Sequence, residues 1–104
     1  MKARSEAAAA LLETVQDLHE IGLVDKETLR DFSLRCQLPD IPPYDAASIK
    51  KLRQDLKISQ AVLAALLNAT VGTVQKWEQG LKHPNALAQK LLYVLERRGI
   101  EALL

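Results

Sequence analysis

The chain has 104 residues, 48% of them apolar and 26% charged, with a formal net charge of +1. That length suits one domain with at most a short appended element, and that balance excludes wholesale disorder. A single cysteine, Cys36, excludes an internal disulfide framework, and two isolated histidines, His19 and His83, offer no ligand set for zinc. Leu (19) and Ala (14) greatly outnumber Val plus Ile (11), which favours helices over sheets. No apolar run approaches the roughly 18 residues needed to cross a bilayer, and no signal-peptide pattern opens the chain. The expectation is a soluble, cytoplasmic protein with no membrane partner and no cofactor.

The net charge conceals a step. Residues 1–44 carry five Lys/Arg against eight Asp/Glu, whereas residues 45–104 carry nine against five. An acidic half beside a basic half suggests two surfaces with different partners, the basic one suited to phosphates and the acidic one to a basic protein.

In chain order, Ser5 predicts an N-cap for a helix running to about Glu20, with Ala8, Leu11, Leu12, Val15 and Leu18 as its apolar stripe and Gly22 as its stop. Asp25 caps a second helix to about Cys36, with Leu29, Phe32 and Cys36 on one face. Leu38 to Tyr44 holds three of the four prolines and reads as an extended seam. The expected division is a helical segment 1–38, a Pro-rich linker 39–44 and a domain 45–104. Beyond the seam, Asp45 caps a helix to about Leu56, with Ile49, Leu52, Arg53 and Leu56 on one side. Ser59 caps Gln60 to Leu67, Asn68-Ala69 turns, and Thr70 caps Val71 to Gln79 ahead of Gly80. Pro84-Asn85 starts a last helix, Ala86 to Arg98, ended by Gly99. The closing IEALL is too short to be stable alone.

Two short helices joined by a turn of three or four residues, with another helix before them, describe a helix-turn-helix unit. Ala64 is small, as a close helix crossing demands. Leu63 and Leu67 face inward from the first helix of the pair, and Val74 and Trp77 from the second. Val71, Gly72, Gln75 and Lys76 are left outward near the second helix's N-terminal end, where a recognition helix meets base edges. The carboxylates Asp17, Glu20 and Glu27 have no nucleophile, oxyanion donor or metal set nearby, so neither a catalytic nor a metal site is expected.

The stretch SQAVLAALLNATVGTVQKWEQGLKHP, Ser59 to Pro84, resembles the core of the Cro/C1 repressor-like (xenobiotic-response-element) helix-turn-helix family. The likeness rests on S-Q, L-A, a short turn, T-x-x-T-V, W-E-x-G and a later Pro, and with flanking helices it covers about residues 45–99. It implies an all-α fold, a five-helix Cro/C1-like domain preceded by two N-terminal helices. By the same resemblance Gln60 would touch the DNA backbone, Thr70 and Thr73 phosphates or adjacent base edges, and Lys82 a phosphate. Val71, Gly72, Gln75 and Lys76 would form the reading face, and Arg53 and Glu78 a buried pair tying helix to helix. Asn68 stands where many relatives have Gly, and Gly72 where a long polar side chain often reads a base. That departure shifts base reading onto Lys76, Gln75 and the Val71 methyls.

Such a domain implies a transcriptional repressor that binds double-stranded DNA as a homodimer on a palindromic operator. The apolar band Leu87, Ala88, Leu91, Leu92, Val94 and Leu95, extended by Ile100, Leu103 and Leu104, is the expected dimer surface. The layout as a whole also resembles the HigA-type antitoxins of bacterial toxin–antitoxin operons. That likeness implies a bacterial, nucleoid-associated protein whose residues 1–44 neutralise a basic RelE/ParE-like (HigB-like) toxin. A stand-alone Cro/C1-type regulator, its N-terminal helices merely completing the fold or the dimer, is the alternative.

Overall fold

Each helix begins where a short polar side chain can satisfy its free amide donors. The computed structural model describes residues 5–104, and the first four residues of the segment 1–38 lie outside the described residues. The architecture is all-α: α1 (Glu6–Glu20), α2 (Lys26–Cys36), α3 (Ala46–Asp55), α4 (Gln60–Leu66), α5 (Val71–Glu78), α6 (Ala86–Arg98) and a closing 3₁₀ turn at Ile100–Leu103. No strand occurs among the described residues. Ser5, Asp25, Asp45, Ser59, Thr70 and Asn85 cap the six α-helices, each accepting the amide of the residue three positions on. The first five are the caps anticipated from the sequence, and Asn85 lies in the Pro84-Asn85 pair expected to start the last helix. The expected ends at Leu67 and Gln79 move back by one residue, because each of those residues is the C-cap.

Four helices end in the same way. After α1, α3, α4 and α5 the chain enters the left-handed region at Gly22, Lys57, Asn68 and Gly80. In each case the next amide reaches back five residues, as in Ala69 N to Ala64 O at 2.8 Å and Leu81 N to Lys76 O at 2.9 Å. This is the Schellman arrangement, which satisfies carbonyls that the helix end would otherwise leave free. Lys57 has a Cβ that disfavours this conformation by about 1–2 kcal/mol. The two returning bonds, Lys57 N to Gln54 O and Ile58 N to Arg53 O, hold it there.

The chain divides into two compact units, Met1–Asp40 and Ile41–Leu104. In the first, α1 packs along α2. Its buried residues are Leu12, Ser33 and Cys36, whereas Leu11, expected on the α1 stripe, is exposed. One residue is 100° around a helix, so a face centred on Leu12 turns Leu11 aside.

The second unit holds a single core. Ile49 and Leu52 from α3, Leu63, Ala64 and Leu67 from α4 and its cap, Val74 and Trp77 from α5, and Leu92 and Leu95 from α6 are all buried. Tyr44 completes this cluster and Ile41 packs against it. Of the residues read from sequence as linker, Tyr44 is therefore part of this core and Ile41 lies against it. The 3₁₀ turn docks through Ile100 and Leu103, which gives the IEALL tail the support it lacks alone. Most of the band assigned to a dimer surface is consumed here: Leu92 and Leu95 are fully buried, while Leu87 and Leu104 are 72% and 87% exposed.

Candidate nucleic-acid interface

At eight residues, α5 is too short to be a stable helix in isolation, so packing must hold it. Val74 and Trp77 supply that anchor, and α5 packs on both α3 and α4. Ala64, 1% exposed, permits the close crossing. With one face anchored, the helical period turns Val71, Gly72, Gln75 and Lys76 outward, and all four are exposed. Open space surrounds Gly72: the nearest atom to a Cβ built there is Thr70 Oγ1 at 3.9 Å.

The two threonines are already engaged with each other. Thr70 Oγ1 accepts the Thr73 amide at 3.2 Å and lies 2.9 Å from Thr73 Oγ1. Thr70 is exposed and Thr73 half-buried, so their hydroxyls open α5 as a coupled pair rather than as two independent donors. Lys82 is exposed in the loop after α5. Its amide, with that of Leu81, bonds to the Lys76 carbonyl, which fixes where this loop leaves the helix.

A charged cluster joins α3, α4 and α5. Arg53 Nε donates to Glu78 Oε2 at 2.7 Å and Arg53 Nη2 to Glu78 Oε1 at 2.9 Å, a two-pronged pair. The Arg53 side chain is 17% exposed and that of Glu78 only 5%. Arg53 Nη1 also donates to Ile58 O at 3.1 Å, so one guanidinium fastens both α5 and the turn before α4. Gln60, the first residue of α4 and half-buried, donates from Nε2 to Glu78 Oε1 at 3.3 Å. The hydrogen bonds from Arg53 lead in holding the Glu78 carboxyl below the usual carboxylate range; burial opposes them, and Gln60 and the charge of Lys50 add to the lowering. The Arg53–Glu78 pair is the one expected from the sequence, but sequence reasoning gave Gln60 a separate role and missed its link to Glu78. Eighteen residues separate Gln60 from Glu78, and no local period marks the link.

The arrangement is thus an exposed, polar face of a short helix flanked by cations and braced by a neutral ion pair. No helix among the described residues is long and apolar enough to cross a membrane. No curated protein matches the chain. Residues 49–90, from within α3 to within α6, match the family model described as Helix-turn-helix, so this stretch is similar to helix-turn-helix domains of the Cro/C1 type.

Proposed function

We propose that the protein is a sequence-specific transcriptional repressor that binds a palindromic operator as a homodimer. The observation carrying this reading is α5, which is anchored by Val74 and Trp77 and presents Val71, Gly72, Gln75 and Lys76 to solvent. Lys76 and Gln75 have the chemistry to read guanine and adenine edges, and Val71 to meet a thymine methyl. Gln60 and Lys82 flank that face and contact the DNA backbone, and Thr70 and Thr73 contact phosphate or adjacent base edges. One such module meets only a few base pairs, so two copies are required for useful specificity. Of the apolar band expected at the dimer surface, Leu87 at the start of α6 and Leu104 remain exposed for that pairing.

A second activity is proposed for the first unit. It is compact in its own right, and residues 1–44 have eight acidic side chains against five basic ones. An acidic helical pair suits a basic protein, and the resemblance of the layout to HigA-type antitoxins makes a RelE/ParE-like toxin the proposed partner. The alternative is a stand-alone regulator with no toxin partner. Co-expression with the product of a co-transcribed neighbouring gene separates the two: a stable complex supports the antitoxin, and its absence leaves the regulator.

A gel shift on the protein's own promoter tests the main reading, with retarded, competitor-resistant complexes expected. Lys76→Ala is expected to relax choice at one base step by about 1–3 kcal/mol. An equal loss on all sequences would instead assign Lys76 to phosphate. Lys82→Ala is expected to weaken binding uniformly and to reduce the salt slope by about 1. An unchanged slope would remove Lys82 from the interface.

A further inference from the structure

The Arg53–Glu78 pair carries more hydrogen bonding than is needed to tie two helices. Glu78 Oε1 accepts from Arg53 Nη2 at 2.9 Å and from Gln60 Nε2 at 3.3 Å. Gln60 sits immediately after the Ser59 cap, in the first turn of α4, and is only partly covered. An amide nitrogen has two hydrogens. With one directed at Glu78, the other is restricted to a narrow range of directions and the side chain loses most of its rotamer freedom. A glutamine held in this way before binding forfeits less entropy when it meets an oxyanion than a free one does.

A bare carboxylate beside a phosphate contact would repel the duplex. Here Arg53 cancels that charge through both oxygens, at 2.7 and 2.9 Å, so Glu78 can orient Gln60 with little electrostatic penalty. The charge of Lys50, on α3, adds to the lowering of the Glu78 pKa.

We propose that Glu78 is a positioning residue for DNA binding: neutralised by Arg53, it presets the Gln60 amide so that its remaining N–H meets a backbone phosphate. This rests on the operator-binding reading above and deepens it. If Glu78 served only to join α3 to α5, its substitution would cost stability, while loss of a negative charge would tighten DNA binding by the folded protein. The positioning role requires the opposite sign.

The test is a double-mutant cycle on operator affinity at fixed salt, using Glu78→Gln, Gln60→Ala and the combined variant, at a temperature where circular dichroism shows each folded. Glu78→Gln is expected to weaken operator binding about tenfold, equivalent to about 1.4 kcal/mol. In the Gln60→Ala background the same change is expected to alter binding less than about twofold. Equal losses in both backgrounds, or tighter binding by Glu78→Gln alone, overturn the proposal while leaving the repressor reading intact. A wild-type protein that selects no duplex sequence ends both. Should Glu78→Gln not fold, the wild-type chain still decides the matter through its side-chain amide order parameters. Gln60 is expected to show a clearly higher side-chain amide order parameter than the exposed Gln75. A Gln60 amide as mobile as that of Gln75 refutes the preset.

Discussion

Replacing Arg53 by methionine, with Glu78 retained, is expected to lower folding stability by about 3–5 kcal/mol at neutral pH. Methionine roughly keeps the aliphatic bulk but removes three donated hydrogen bonds, two to Glu78 and one to the Ile58 carbonyl. What remains is a carboxylate whose side chain is 5% exposed and which has lost its countercharge. Most of the cost is that stranded charge rather than the value of the pair itself. Urea denaturation followed by circular dichroism measures it, and a loss under about 0.5 kcal/mol would mean the pair is solvated.

The same variant reverses the response to acid. In the wild type the Glu78 pKa is depressed below its ordinary value of 4.5, so its contribution is complete above that value. It fades as pH falls through the lower folded-state pKa, and stability drops on acidification. Without Arg53, burial dominates and pushes the carboxyl pKa up. The variant's penalty should therefore shrink as pH is lowered through that raised value, because the neutral acid is easier to bury. Denaturation midpoints at pH 7 and near pH 4 check the sign, and parallel falls in both proteins would contradict it.

Trp77→Ala is expected to cost about 3–5 kcal/mol, the range for emptying a large aromatic site. Trp77 is 6% exposed and, with Val74, is one of two buried residues on α5. An eight-residue helix deprived of one of its two anchors has little intrinsic stability to fall back on. The helical period turns the exposed reading face away from the tryptophan, yet operator affinity should fall with stability because a frayed α5 presents no ordered surface. A thermal or urea transition within about 1 kcal/mol of the wild type would show that the cavity collapses. Operator affinity surviving such a collapse would detach the reading face from its anchor.

Much of this fold is written locally. Ser5, Asp25, Asp45, Ser59, Thr70 and Asn85 mark helix starts through the reach of a short side chain to the amide three residues on, which depends on no distant contact. Asn68 announces the turn between α4 and α5 because its side chain tolerates the left-handed backbone. Lys57 gives no such notice: it takes the same conformation, with φ of 57°, because bonds to Gln54 and Arg53 carbonyls close the motif around it. The α1 stripe was similarly ambiguous. Leu11 and Leu12 fit the period about equally well, and only packing against α2 decides which is covered.

By itself the amino-acid order determined the helical class, the caps, the inward residues Leu63, Ala64, Leu67, Val74 and Trp77, and hence which face of α5 turns outward. Those features follow from periods of a few residues, where covalent geometry links the positions. Tertiary structure alone decided that Tyr44 and Ile41 join the second core, that Leu92 and Leu95 vanish into it while Leu87 stays exposed, and that Gln60 bonds to Glu78. These outcomes depend on groups far apart in the chain, whose meeting is set by how whole helices pack and not by any pattern along the backbone.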